Sequence, residues 1–398
     1  MKRRQFDIVP LGALLEDTPR NGYSPVCPEL PTGKWVLGLS ALDGRGLDLS
    51  EPKPAPANDP LVDKFMLRPG DFLISRSNTF DKVGRVGVFR GELENCSYPD
   101  LMMRFRPDCE KVNPLYLETY LKSEAAIKFI RQHATGTSGS MKKINQATVE
   151  SIPVVVPSIA EQASIATALQ EWYEAIQKAE QLIAAKERHY SHELSRLISR
   201  GQHPHGHIGT FAEEVSARNR GGNEARVLSV TNSRGFVLPE DQFERRVASA
   251  DLSNYKVVRR GQYAYNPSRI NVGSIARLDG WDDGVLSPMY VVFRLDEDKA
   301  NSDYFLHWLN SHEARQRIKN SAQGSVRETV SFSEFAAITI PLPDTHTQTA
   351  IARYLNALRE EIDLLGQSVA ALKTQKRGLM QKLLTGQWRL PIRQEAKA

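Results

Sequence analysis

Two stretches of sequence decide the fold. Residues 153–169 read PVVVPSIAEQASIATAL, and residues 339–355 read TIPLPDTHTQTAIARYL. Each consists of a short apolar strand, a proline that ends it and the start of a helix, with Gln162 and Gln348 at the same place. The offset stays at 186 residues (348 minus 162) throughout. Chance similarity seldom keeps one register through a strand, a proline and a helix start, so we predict an internal duplication.

The repeat extends towards the beginning of both halves. Residues 67–74 (LRPGDFLI) align with 258–265 (VRRGQYAY), and residues 83–86 (VGRV) align with 272–275 (VGSI). A glycine with Thr or Ser neighbours also recurs before the final strand of each half. In a chain of 398 residues, a period of about 190 predicts two large domains rather than a solenoid of short units.

A long helix is predicted after each proline. Apolar residues recur four and three positions apart, which is the heptad pattern of a coiled coil. Ser158 and Glu161 have the spacing of a capping box, whereas the second copy has Thr347 in place of the glutamate. We expect helices over about 158–199 and from 344 to a stop at Gly386. The predicted contact residues, here called the heptad stripe, are Ile165, Leu169, Trp172, Ile176, Ile183, Tyr190, Ile351, Leu355, Leu358, Ile362, Leu365, Val369 and Leu372.

These helices need a partner, because a lone amphipathic helix would leave its apolar stripe in water. We expect the two copies to pack on each other, antiparallel if a pseudo-twofold axis relates the halves. The alternative is that each stripe packs on its own globular domain or on another subunit.

Before the helices, short strands alternate with helical stretches. The strands are predicted at 35–39, 72–75, 83–89, 226–230, 262–265 and 290–293, and the helices near 114–131 and 302–319. The predicted fold class is α+β, with two globular domains related by the internal repeat and separated by two long antiparallel coiled-coil helices.

Composition bounds the function. Hydrophobic residues make up 40% of the chain and charged residues 25%, which excludes a disordered or fibrous protein. The net charge of +5 permits nucleic acid as a partner without requiring it. Cys27, Cys96 and Cys109 form no C-x-x-C pair, and we see no signal-peptide pattern or apolar run long enough to span a membrane. We therefore expect a soluble cytoplasmic protein with reduced thiols.

The usual catalytic motifs are missing. There is neither a phosphate-binding P-loop nor a dinucleotide-binding glycine motif. Tyr265-Asn266-Pro267-Ser268 is similar to the Asn-Pro-Pro-aromatic turn of adenine methyltransferases, but it lacks the second proline and the final aromatic residue. We interpret the alternating histidines of residues 203–207 as a flexible linker rather than a metal site, because no carboxylate or cysteine lies at ligand spacing. No catalytic residue and no metal site is assigned.

Polar and basic residues follow matched strands in both halves. Arginine reads guanine edges, asparagine reads adenine, and lysine and arginine also hold phosphates. The alternative is that these are ordinary solvated loops. The predicted DNA contacts are Arg76, Asn78, Lys82, Arg85, Ser138, Lys142 and Lys143 in the first half, and Asn266, Ser268, Arg269, Asn271, Ser325 and Arg327 in the second.

The arrangement resembles the specificity subunit of type I restriction-modification systems. The resemblance rests on the duplicated Gly-Ser/Thr loop, the proline-flanked strand, Gln162 and Gln348 with the Ile-Ala that follows each, and the long heptad helices. It implies two target recognition domains, each reading half of a split DNA sequence, and two helical spacers. The expected boundaries are 1–157 and 202–343 for the recognition domains, 158–201 and 344–390 for the spacer helices, and 391–398 for a tail.

The resemblance also implies the partners. They would be double-stranded DNA, two methyltransferase subunits and restriction/translocase subunits, with no membrane. Catalysis would belong to those subunits, which would bring S-adenosylmethionine, ATP and magnesium, whereas this chain would be non-catalytic and without a cofactor. The alternatives are a stand-alone sequence-specific DNA-binding regulator and a coiled-coil scaffold.

Overall fold

The computed structural model describes residues 6–136, 141–222, 226–239, 251–322 and 329–390. The chain forms two compact units. Unit 1 comprises Met1–Lys178 with Val369–Ala398, and unit 2 comprises Ala179–Ser368. Each unit therefore combines one globular half with parts of both long helices. In the described part of the chain, no helix is long and apolar enough to cross a membrane.

The first half of the chain alternates short strands with short helices before its long helix. Its strands are β1 (Asp7–Pro10), β2 (Arg20–Asn21), β3 (Trp35–Val36), β4 (Lys53–Pro54), β5 (Phe72–Ser75), β6 (Ser77–Asn78), β7 (Val86–Val88), β8 (Cys96–Ser97), β9 (Met102–Phe105), β10 (Lys142–Lys143) and β11 (Pro153–Val156). Its helices are α1 (Pro60–Lys64), α2 (Pro114–Leu121), α3 (Glu124–His133), α4 (Gln146–Glu150) and α5 (Ile159–Leu194).

The second half repeats this alternation. Its strands are β12 (His205–His207), β13 (Ala212–Glu214), β14 (Ser229–Thr231), β15 (Gly235–Val237), β16 (Lys256–Arg259), β17 (Tyr263–Tyr265), β18 (Ile275–Arg277), β19 (Asp283–Leu286), β20 (Val291–Leu295) and β21 (Thr339–Pro341). Its helices are α6 (Ser302–Leu309), α7 (His312–Ala322), α8 (Phe332–Ala336) and α9 (Thr345–Leu384).

The predicted duplication is present in the sheet topology. Unit 1 contains the antiparallel sheet β2-β9-β5-β7, and unit 2 contains β13-β20-β17-β18, with the strands in the same relative order. The first strand of each globular half pairs with the strand before the long helix, as β1 with β11 and β12 with β21. The predicted α+β class is confirmed.

A buried glutamine marks the same point in both copies. The backbone N–H of Asn113 donates to Oε1 of Gln162 at 2.7 Å, and that of Asn301 donates to Oε1 of Gln348 at 2.8 Å. Each glutamine Nε2 donates to the carbonyl of the proline five residues before it. Both glutamines are 0% exposed, so the motif that revealed the repeat ties the long helix to the globular part.

Both long helices form as predicted. Ser158 and Glu161 make the reciprocal hydrogen bonds of a capping box at the start of α5. The second helix lacks this reciprocal pair, but its start is still capped, because the Asp344 carboxylate accepts from both the N–H and the hydroxyl of Thr347. After α5, a π-helical turn continues to residue 199, in which the N–H of Arg200 donates to the carbonyl of Ser195.

The helices run antiparallel in each unit. In unit 2, Lys186 forms an ion pair with Glu361, and four residues later in α5 the ring of Tyr190 contacts Arg359, which precedes Glu361. In unit 1, Tyr173 contacts Lys376 of α9, and Glu161, earlier in α5, pairs with Arg389, which follows α9. The polar residues that interrupt the heptad pattern, Lys186 and Lys376, thus contact the opposite helix.

The heptad stripe is divided between helix pairing and the globular cores. Ile165 and Leu169 pack into the core of unit 1 with Leu383, and Ile351 and Leu355 pack into the core of unit 2. The alternative packing is therefore correct for the ends of the stripe. The buried members are Ile165, Leu169, Ile176, Tyr190, Ile351, Leu355, Ile362 and Val369, and the half-buried members are Trp172, Ile183, Leu358, Leu365 and Leu372.

One local prediction is wrong, and the bounds of others change. The histidine segment is not a flexible linker, since His205–His207 is strand β12 and its pairing with β21 satisfies its backbone. The helical stretches predicted near 114–131 and 302–319 are present, each as two helices, because Ser123 and Ser311 accept hydrogen bonds from a following N–H and start a second helix. The strands predicted at 35–39 and 226–230 are only Trp35–Val36 and Ser229–Thr231.

Candidate nucleic-acid interface

In unit 1, a two-stranded ribbon joins the two segments that carry predicted contacts. Strand β6 pairs with β10, which places Asn78 opposite Lys142 and Ser77 opposite Lys143. The N–H of Ile144 donates to the carbonyl of Arg76 at 2.9 Å and extends the ribbon. The pairing brings together residues that are 64 positions apart (142 minus 78).

The basic side chains of this ribbon and of the adjoining turn differ in their exposure and in their hydrogen-bond partners. Lys82 and Lys143 are exposed. Lys142 Nζ donates to the carbonyl of Gly136 at 2.7 Å, and a guanidinium nitrogen of Arg76 donates weakly to the carbonyl of Asp100 at 3.4 Å. Arg85 makes a similar 3.4 Å contact to the carbonyl of Leu42. A phosphate can compete with neutral carbonyl partners, because an ionised acceptor forms a stronger hydrogen bond.

The predicted DNA contact Asn78 is nearly buried in the free chain. It is 9% exposed, and its Oδ1 accepts from the N–H of Thr79 at 2.9 Å. Its amide group lies 3.4 Å from the hydroxyl of Ser75. In this conformation the hydrogen bonds of Asn78 stabilise the start of the turn and so hold its neighbours in position.

A carboxylate lies within the same turn. The hydroxyl of Thr79 lowers the pKa of Asp81, and the nearby Lys82 and Arg85 act in the same direction. The charge of Asp81 is therefore retained at neutral pH and is partly balanced by the surrounding cations.

In unit 2, the corresponding loop follows β17. Oδ1 of Asn266 accepts from the N–H of Ser268 at 3.0 Å, and the carbonyl of Asn266 accepts from the N–H of Arg269. A 3₁₀ turn over Ile270–Val272 follows, and Gly273 leaves it with φ of 92°, which favours glycine. The loop is compact, and Ser268 and Arg269 remain exposed.

A cleft of about 760 Å³ lies beside this loop. Asn271, Asn232 and Arg315 are among the polar residues that line it. Three predicted contacts, Ser138, Ser325 and Arg327, lie outside the described residues.

The described residues contain no cluster of three or more His, Cys, Asp and Glu side chains that could hold a metal ion. The surface that the structure offers is instead a pair of polar and basic loops. Their residue types suit phosphates and base edges.

Unit 2 contains a polar chain that the sequence does not reveal and that is buried only at Tyr190 and His307. The hydroxyl of Tyr190 lies 2.9 Å from Nδ1 of His307, whose Nε2 lies 2.8 Å from Oδ1 of Asn356. Nδ2 of Asn356 donates to Asp303, which also pairs with Arg277. This chain links α5 and α9 to β18, the strand after the candidate loop. Its members are far apart in sequence, so no local pattern reveals it.

Comparison with known families gives one assignment for both halves. A family model described as the type I restriction modification DNA specificity domain matches residues 60–187 and 268–374. The two matched ranges include the predicted loop segments of β6 and of residues 268–271. They also include most of both long helices.

Two curated relatives are similar to the chain. The putative type I restriction enzyme MjaX specificity subunit of Methanocaldococcus jannaschii is 21% identical over 354 residues, which is 83% of this chain and 81% of that protein. The type I restriction enzyme EcoKI specificity subunit of Escherichia coli is 25% identical over 242 residues, which is 60% of this chain and 49% of that protein.

Solved structures show the same fold. A type I restriction-modification S subunit from M. genitalium superposes with a TM-score of 0.59 at 14% identity, covering 96% of this chain and 98% of that chain. A chain from a structure on complex assembly and conformational transition of a type I R-M system gives a TM-score of 0.60 at 14% identity, covering 97% and 99%.

Proposed function

This chain belongs to the type I restriction-modification DNA specificity family, and we propose that each of its halves reads one part of a split DNA target. The family resemblance predicted from the sequence is confirmed. Specificity subunits of this family recognise DNA and are not catalytic, which agrees with the prediction that this chain is no enzyme.

The observation that carries the proposal is the equivalent placement of two polar loops. In each unit the loop follows the third strand of the same four-stranded sheet, β5 in unit 1 and β17 in unit 2. Both loops present cations on a compact turn, with Lys82 exposed in one and Arg269 in the other. A duplicated scaffold with two such loops suits a bipartite target.

The two half-sites should differ in sequence. The aligned loops carry different residues, for example Lys82 in unit 1 at the position of Asn271 in unit 2, since Val83 aligns with Val272. Because direct readout depends on residue type and pose, unlike loops favour unlike base sequences. The proposed target is therefore asymmetric.

The long helices are proposed to set the spacer between the half-sites. Helix α5 has 36 residues, which at 1.5 Å per residue is about 54 Å. One turn of DNA is about 34 Å, so such a helix corresponds to about one and a half turns of unread base pairs. The boundaries 1–157, 158–201, 202–343, 344–390 and 391–398 remain the proposed division into readers, spacers and tail.

The proposed partners follow from the duplication. Two equivalent surfaces on one chain would dock two methyltransferase subunits, which would bring S-adenosylmethionine, and restriction subunits would add ATP and magnesium. The modest charge of +5 agrees with a reader whose partners supply part of the phosphate contact.

A binding experiment separates this function from a stand-alone regulator. The chain is mixed with a random-sequence duplex library at physiological salt, alone and with its methyltransferase, and the retained DNA is sequenced. We expect a split motif only in the presence of the methyltransferase. A motif retained by the chain alone would favour the regulator, and no motif in either arm would favour a scaffold.

A further inference from the structure

Both candidate loops expose large apolar side chains beside their polar residues. In unit 1, Phe80 is 50% exposed between Asn78 and Lys82, and Met141, next to Lys142, is 41% exposed. In unit 2, Val272 is 61% exposed directly after Asn271. Beside cations that attract phosphates, such exposed apolar side chains are available for contact with the bases of a nucleic acid.

The turn that carries Phe80 is rigid. The carbonyl of Thr79 accepts from the N–H groups of Lys82 and Val83 at 3.0 and 2.9 Å, and the hydroxyl of Thr79 donates to Asp81 at 2.6 Å. Gly84, with φ of 78°, packs so closely on Ile130 that a Cβ at this position would clash with it. Phe80 is therefore displayed by a preformed turn, which lowers the entropy cost of a contact.

The surroundings of the Phe80 ring are cationic. The guanidinium carbon of Arg131 lies 5.5 Å from the ring centroid, and the same guanidinium donates to the carbonyl of Asp81 at 2.9 Å. Lys82 is exposed two positions on, and Lys142 pairs with Asn78 across the ribbon. The negative charge of Asp81, the carboxylate of the turn, is balanced by these cations. The ring thus combines an apolar surface with charges that attract a polyanion.

We propose that Phe80 stacks on a base of the half-site that unit 1 reads and unstacks that base from its neighbour. Every base has a π face, and apolar side chains of DNA-binding proteins insert between base steps on cationic surfaces. Val272 in unit 2 has no aromatic ring, so it cannot make the same stack in the second half-site. This inference rests on the proposed DNA-reading function.

The test uses the full chain in complex with its methyltransferase and duplexes with 2-aminopurine at each position of the first half-site in turn. The wild-type complex gives a fluorescence change at the stacked position. Phe80→Ala abolishes that change and weakens binding by about 5- to 150-fold, the range of one base–aromatic stack. Phe80→Trp retains both. Leu61→Ala, at a residue of α1 that is 45% exposed, is the matched control and leaves both unchanged.

The readouts separate this contact from other events. Methyltransferases extrude their target base, so that position gives its own signal, which Phe80→Ala preserves. If the wild-type complex binds selectively and Phe80→Ala changes neither the affinity nor the fluorescence, the stacking contact is refuted but the proposed function is not. A wild-type complex without sequence-selective binding would overturn the proposed function and this inference with it.

Discussion

The ammonium group of Lys376 lies 4.8 Å from the centroid of the Tyr173 ring. The same contact recurs in unit 2, where the guanidinium of Arg359 lies 5.1 Å from the ring of Tyr190. The repeat offset of 186 relates Tyr173 to Arg359 (173 plus 186) and Tyr190 to Lys376 (190 plus 186). The contact is thus duplicated with its partners exchanged, because α5 supplies both rings and α9 both cations.

This exchange predicts a measurable coupling between the helices. Burial lowers the pKa of Lys376, and the charge of Lys122 acts in the same direction, so the ring of Tyr173 is a compensating partner. A double-mutant cycle with Tyr173→Leu and Lys376→Met should give a coupling free energy of about 0.5–2 kcal/mol in urea unfolding. The exposed Arg377, replaced by Met, is the control and should show no coupling to Tyr173. Equal coupling for both positions would contradict the contact.

The pH dependence of stability should depend on His307. Burial lowers the pKa of His307, opposed by the hydrogen bond to Asn356 and the charge of Asp303, while Arg359 and Arg277 act with burial. As the pH falls through about 6.5, the unfolded chain binds a proton that the folded chain does not. The free energy of unfolding therefore decreases by up to about 1.4 kcal/mol per pH unit below that point.

Thermal unfolding between pH 7.5 and 5.5 checks this dependence. His307→Gln should flatten the acid side of the curve, whereas His312→Gln, at an exposed histidine, should leave its slope as in the wild type. A slope that His307→Gln does not change would refute the assignment.

The two buried glutamines should contribute about equally to stability. Gln162→Ala and Gln348→Ala each leave the partly buried N–H of an asparagine unpaired, at Asn113 and Asn301. Each should lower the free energy of unfolding by about 1–3 kcal/mol. Gln367→Ala, at an exposed position of α9, should have little effect in the same measurement. If only one of the two variants had a lower free energy of unfolding, the two glutamines would not contribute equally to stability.

Arg269 should contribute to one half-site only. Its side chain is exposed on the loop of unit 2. Arg269→Ala should weaken binding of the complex by about 1–3 kcal/mol if the residue reads a base, and should relax selection in the second half-site while the first is unchanged. Fluorescence anisotropy with duplexes altered in one half-site at a time measures this. Arg260→Ala, at a residue paired with Asp282, is the control. Equal losses at both half-sites would contradict the assignment.

Helix length should determine the spacer. Insertion of one heptad after Lys178 and another after Ser368 keeps the apolar register and lengthens each helix by about 10 Å. That length corresponds to about three base pairs, and methylome sequencing should show a spacer longer by this amount with the same half-sites. The same insertion after Gly33, in open space, should change neither. An unchanged spacer in the lengthened variant would exclude the ruler role.

The duplication and the long helices could be predicted because their signals are local. Gln162 and Gln348 lie in one register with a strand, a proline and a heptad, and these patterns depend on neighbouring residues alone. The strand His205–His207 could not be predicted, because its backbone is satisfied only by the distant β21. For the candidate loops, the sequence shows only which residue types are present. The burial of Asn78 and the display of Phe80 depend on packing that no spacing reveals.

Single-molecule methylome sequencing shows directly whether this chain specifies the methylated DNA sequence. A host free of DNA methylation expresses this chain with the methyltransferase encoded beside it, and a second host expresses the methyltransferase alone. We expect a split, asymmetric adenine motif only in the first host. Absence of any motif, given a demonstrably soluble complex, would contradict the specificity role and favour the scaffold or regulator.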